Sequence, residues 1–118
     1  MSAILKVGIM PREQFQQRVL NIAAGRYLPP KEEPKIWFRS MKSLSEVLSD
    51  NNIRLLKMIE ENQPETLQAL AILSGRQASN LSRTLKTMAR YGIVELHKEK
   101  RAVRPVVKAS AFNIQYAI

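Results

Sequence analysis

The chain has no cysteine and a single histidine, His97. The first absence excludes disulfides and thiolate-ligated zinc or iron–sulfur sites, and one histidine cannot assemble the usual metal-ligand cluster. No metal and no cofactor is therefore expected, and His97 reads as a strand surface residue. No apolar run approaches the roughly 18 residues that a membrane-crossing helix needs. The start also lacks the basic-then-apolar order of a signal peptide. The expectation is a cytoplasmic protein without a membrane partner. Acidic side chains are scarce as well, 10 Asp+Glu against 19 Lys+Arg, for a formal net charge of +9. Such an excess favours an anionic partner and says nothing about fold. Glu95 and Glu99 show no paired-carboxylate pattern, and no nucleophile–base pair emerges, so the chain is not expected to be an enzyme. Aromatic residues make up only 6%, too few for the stacking platform of a single-strand reader.

What is present suffices for a folded protein. With 118 residues, 45% of them hydrophobic, the chain can bury a modest core and is not wholly disordered. Ile4 to Ile9 can form a short strand, with Pro11 starting the next element. From Arg12 to about Arg26, Phe15, Val19, Ile22 and Ala23 recur at helical spacing. Gly25 weakens that helix and Pro29-Pro30 close it, leaving Tyr27 to Pro34 as a solvated linker. Lys35 to Arg39 reads as a strand that sends Trp37 and Phe38 to opposite faces. One of that pair could fill the core while the other meets a second subunit, or both could be buried within one domain. Ser43 with Glu46 is placed as a capping box for a short helix. The next helix runs from about Asn52 to Asn62, with Ile53, Leu56 and Ile59 on its inner face.

Residues 66 to 94 carry the clearest pattern. Thr66 can accept from the unpaired amides that open a helix. Leu67, Leu70 and Ala71 then line one face, with Ile72 and Leu73 also available for burial. Gly75 suits the tight backbone between two helices, where a side chain would be strained. Ala78, Leu81, Leu85 and Met88 recur at three- and four-residue spacing and should face the core. Gln77, Ser79, Asn80, Arg83 and Lys86 are left for the other faces. These amide, hydroxyl and guanidinium groups are the ones that read base edges or hold phosphates. Gly92 ends this second helix. Ile93 to Lys98 and Ala102 to Val107 can pair as strands around the polar tip Lys98-Glu99-Lys100-Arg101, and Pro105 favours an edge. Between residues 75 and 108, nine basic side chains stand against Glu95 and Glu99 alone.

Helix, turn, helix and basic hairpin in this order resemble the winged helix-turn-helix superfamily, in the style of the MarR and ArsR regulators. Ala71, Gly75 and Leu81 match that family's small residue, turn glycine and buried recognition-helix residue. Leu85 and Met88 match its later core positions, and Gly92-Ile93-Val94 matches the step into the wing. Ile36 to Ser40, the helices after it, Gly75-Arg76-Gln77 and Arg104-Pro105 resemble more specifically a group of MarR-like transcriptional regulators. The superfamily resemblance spans roughly residues 52 to 108. The wing is short, the long terminal helices by which MarR proteins dimerise are missing, and so are the cysteines with which many ArsR-like proteins sense metals.

The resemblance implies an α+β fold, a winged helix-turn-helix with an N-terminal helix/strand extension. Residues 1–50 would be the extension, packed on the core and dimerising, and 51–118 the DNA-binding domain. The implied function is sequence-specific binding of double-stranded DNA in transcriptional regulation. The expected DNA-binding residues are Arg76, Gln77, Ser79, Asn80, Arg83, Lys86, Arg90, Lys98, Lys100, Arg101 and Arg104. A homodimer is expected, because a two-fold lets two recognition helices read two half-sites. The C-terminal segment from Phe112 can pair with the early strand within or between subunits. The competing reading is an antitoxin or protein-interaction module whose partner is a cognate toxin or another protein.

Overall fold

The computed structural model describes residues 3–118. The chain is mixed α+β, with five helices and five strands among those residues. It divides into two compact units, one formed by residues 47–111 with the start of β1 through Leu5, the other by residues 6–46 with 112–118.

In the second of these units, strand β1 (Ala3–Ile9) buries Val7 and Ile9. Helix α1 (Arg12–Ala23) follows, and strand β2 (Ile36–Phe38) returns parallel to β1, with Val7 opposite Ile36 and Ile9 opposite Phe38. A parallel return needs a crossover longer than a hairpin, and α1 supplies it. Gly8 lies opposite Trp37. A Cβ at Gly8 would stand 2.2 Å from the Trp37 ring, so the bare backbone is what lets the indole cross β1. The guanidinium of Arg18 lies over that ring, 5.1 Å from its centroid. Trp37 is half-buried, with contacts to Gly8 and Arg18, while Phe38 fills the core at 1% exposure. The indole N–H of Trp37 is buried without a protein acceptor.

Two expectations for this unit need correcting. Helix α1 stops at Ala23, before Arg26, and Gly25 turns the chain at φ 74°. None of the α1 residues is buried; Phe15 and Val19 form their stripe, but it faces solvent. The segment from Tyr27 to Pro34 is irregular and mostly exposed up to Glu32, and is tied down at two points. Arg18 grips Glu33 through Nε and Nη2, each at 2.8 Å, Tyr27 donates its hydroxyl to the same carboxylate, and Pro34 is buried. Helix α2 (Met41–Val47) begins ahead of Ser43, so Ser43 is not its cap. Ser40 takes that place. Its hydroxyl accepts from the Ser43 amide at 3.1 Å while the Ser40 amide donates to Ser43 Oγ at 3.3 Å, a reciprocal box with a second serine in the place of glutamate.

In the other unit, helix α3 (Asp50–Asn62) is capped by Ser49, which accepts from the Asn52 amide at 3.2 Å. Its buried stripe is Leu55, Leu56 and Ile59; Ile53, expected inside, is 40% exposed. Helices α4 (Leu67–Ser74) and α5 (Ala78–Arg90) come next, then the antiparallel pair β3 (Val94–Glu99) and β4 (Ala102–Val107). Helix α4 packs on α3, α5 and β4, and α5 on β3. The core between them is apolar, with Leu70, Leu81, Leu85, Met88 and Ile93 fully buried. Strand β5 (Ala109–Tyr116) continues the chain and joins the three-stranded sheet in the order β2-β1-β5.

Candidate nucleic-acid interface

The local chemistry of α4 and α5 explains the sharp bend between them. Thr66 Oγ1 accepts from the Ala69 amide at 3.0 Å and opens α4. Gly75 closes it at φ 73°, its amide donating to the Ala71 carbonyl at 2.9 Å. An L-residue at that φ is strained, so the glycine makes the turn cheap. Only Arg76 and Gln77 separate Gly75 from the first residue of α5. Three positions expected to be available for burial lie outside. Ala78 is exposed, because it begins α5 and the first turn overhangs the packed region. Ile72, about 200° round α4 from Leu70, is 85% exposed, and Leu73, near the end of the helix, is 47% exposed.

Helix α5 is divided lengthwise. Leu81, Leu85 and Met88 are buried. Ser79, Arg83, Lys86 and Arg90 recur at the spacing i, i+4, i+7, i+11, which is one stripe of an α-helix. At about 100° per residue that stripe is opposite the buried row. All four residues are exposed. Asn80 is exposed too, but it flanks the stripe, and Gln77 is the N-cap residue beside it. Arg90 makes one bond along the helix, from Nη2 to Thr87 Oγ1 at 3.3 Å. Thr87 was not singled out in the sequence; its position one turn after Arg83 on the flank is the signal that could have found it.

The hairpin joins Glu99 to Ala102 through Lys100 and Arg101 alone. Lys100 sits at φ 55°, and Lys98, Lys100 and Arg101 are exposed. Among the described residues, Arg83, Lys86, Lys98, Lys100 and Arg101 have no acidic partner. The structure sets apart two other cations of the expected group. Arg104 donates from Nε to Glu99 Oε1 at 3.0 Å, so its charge is already answered. Arg76 donates from Nη1 to Asn52 Oδ1 at 3.1 Å, and Asn52 in turn donates from Nδ2 to the Val47 carbonyl at 3.0 Å. Arg76 therefore ties the interhelical turn to α3. No local pattern marks Asn52 for that role, because 24 positions separate the two residues.

Glu95, on the strand below the tip, is held below the usual carboxylate range. A hydrogen bond with His97 at 3.0 Å is the largest cause, and Lys108 adds an attraction from 3.8 Å. His97 thereby acts as a partner of Glu95 on the hairpin surface. The lower hairpin is balanced, and unpaired positive charge is left at its tip and along α5.

A model of the HVO_A0114 family matches residues 47–114, more than half of the 118-residue chain, and the chain belongs to that family. The match covers α3, α4, α5, the β3–β4 hairpin and most of β5. No curated protein and no solved structure matches the chain. No helix among the described residues is long and apolar enough to cross a membrane.

Proposed function

We propose that this member of the HVO_A0114 family is a winged helix-turn-helix protein that binds duplex DNA sequence-specifically and regulates transcription. The observation that carries this reading is the polar stripe Ser79, Arg83, Lys86 and Arg90 opposite the buried row of α5. A helix about 10–12 Å across enters a major groove about 12 Å wide. In this reading α5 is the recognition helix and β3–β4 the wing. Arg83 reads a guanine edge, and Asn80 reaches a base from the flank. Lys86 and the tip cations Lys98, Lys100 and Arg101 hold phosphates. A two-residue tip makes a small wing, so most of the specificity falls to α5.

Fluorescence anisotropy with duplex DNA under a salt titration tests it. Four phosphate contacts, from Lys86, Lys98, Lys100 and Arg101, would give a log–log slope of about −3.6, or roughly a 150-fold loss of affinity from 50 to 200 mM salt. Arg83→Ala should lower the preferred-to-random affinity ratio by about 1–3 kcal/mol if its contact is bidentate. Lys100→Ala should weaken all duplexes alike. Arg76→Ala should lower thermal stability by loosening the turn from Asn52, and leave the ratio intact. No duplex binding at low salt would overturn the proposal.

One observation favours a second reading, an antitoxin or other protein-interaction module: Ile72 and Leu73 expose apolar surface on α4. In that case Ile72→Ser would abolish capture of a protein partner while duplex binding stayed absent.

A further inference from the structure

Strand β5 forms one edge of the sheet β2-β1-β5. The opposite edge, β2, has three residues, but β5 has eight, and six of them are exposed. Long free edges are hazardous because their unpaired amides and carbonyls template pairing with another chain. Proteins blunt them with charge, proline or brevity, and β5 has none of these. Residues 109–118 contain no charged side chain and no proline, in a chain of net charge +9. Ile114 and Tyr116 stand 44% and 52% exposed on alternate positions of the strand, with half-buried Phe112 two residues before.

We propose that β5 is the seam of a homodimer, in which two copies pair β5 to β5 antiparallel about a two-fold axis perpendicular to the sheet. Two three-stranded sheets then become one continuous sheet with no long free edge. The occupant is a second copy of this chain, for two reasons. Two-fold pairing sets even-numbered residues opposite even-numbered ones, so Phe112, Ile114 and Tyr116 of both copies form one apolar row and Asn113 and Gln115 form the other. Charge points the same way. Two copies repel wherever their cations meet, and this uncharged strip is where they approach at least cost. A highly charged partner would find nothing on residues 109–118 to answer its charges.

Size is consistent with the seam. A stable dimer buries about 800 Å² on each partner. An eight-residue edge roughly 26 Å long supplies part of it. The same unit leaves Phe15, Val19 and Leu20 of α1 uncovered, apolar surface of the kind such an interface needs. The inference is independent of DNA binding, and its test contains no DNA.

Sedimentation equilibrium of the full chain across a wide concentration range should give about 27 kDa, twice 13.5 kDa. The double variant Ile114→Lys/Tyr116→Lys places like charges opposite one another across the seam. It should weaken the dimer by roughly tenfold or more, with an unchanged far-ultraviolet circular dichroism spectrum, since both side chains are exposed in the protomer. Ile53→Lys, the same change on α3, should leave the dimer intact. Hydrogen exchange on the wild-type chain supplies a second measurement that does not depend on the variant folding: amides of β5 should gain protection as the dimer fills. A wild-type monomer at every concentration, a folded double variant that stays dimeric, or concentration-independent exchange in β5 would each overturn the proposal.

Discussion

The two units solve the problem of burial differently. Among the described residues, the unit holding α3, α4 and α5 contributes ten of the buried hydrophobic side chains and four of the exposed large ones. The unit holding α1, β2 and α2 contributes four and nine, although it is the shorter of the two. The first has three helices and a hairpin closing on one apolar centre. The second relies on a few specific contacts: the Trp37 ring across Gly8, the Arg18 guanidinium over that ring, and the Tyr27–Glu33–Arg18 cluster. The lesson is that a folded unit need not cover its own apolar surface.

The comparison is most directly broken by truncating one side chain in each unit. Leu85, fully buried in the first unit, should cost about 2–5 kcal/mol when changed to alanine. Leu28, 89% exposed in the second, should cost less than about 0.5 kcal/mol. Urea unfolding of both variants checks this. A comparable loss for Leu28→Ala would mean that Leu28 is packed in the folded protein.

A smaller effect sharpens the account of the second unit. Gly8→Ala drives a methyl group into the Trp37 ring, and overpacking of this kind costs about 1–3 kcal/mol. A lower melting temperature together with a shifted Trp37 emission spectrum is the expected outcome. Unchanged emission would show that the indole does not depend on the bare backbone at Gly8.

The smallest effect is electrostatic. Glu33 is held below its ordinary value of 4.5, chiefly by the hydroxyl that Tyr27 donates and then by Arg18. The folded chain therefore binds this proton less readily than the unfolded chain. The stabilisation is fully present above the ordinary carboxylate value and fades as pH falls through the depressed one. Thermal melts from neutral pH down into the acid range should show the wild type losing more stability than Glu33→Gln. Parallel losses would remove Glu33 from the account.

Much of the first unit was legible residue by residue. Thr66 acts through its hydroxyl on an amide three residues on, and Gly75 and Gly92 through their own backbones, so the ends of α4 and α5 are legible without any long-range contact. The outward stripe of α5 follows from helical spacing alone. The departures from local pattern share a cause. Ser43 looked like a cap because Glu46 follows at the right interval, but Ser40 and Ser43 satisfy one another one turn earlier. Ile53 and Ala78 kept helical phase with core residues, but phase says nothing about how far along a helix its packing partner extends.

The sequence by itself determined the alternation of elements, the sharp turn between α4 and α5, the polar face of α5 and the cationic hairpin tip. Each rests on φ preferences, capping or periodicity within a dozen residues. Tertiary structure alone decided the parallel return of β2 beside β1, the place of β5 at the sheet edge, the Arg76–Asn52 tie, and the solvent-facing stripe of α1. Those outcomes depend on pairings between residues distant in the chain. Such contacts are selected by the total burial and hydrogen bonding of the folded protein, and no local pattern encodes that sum.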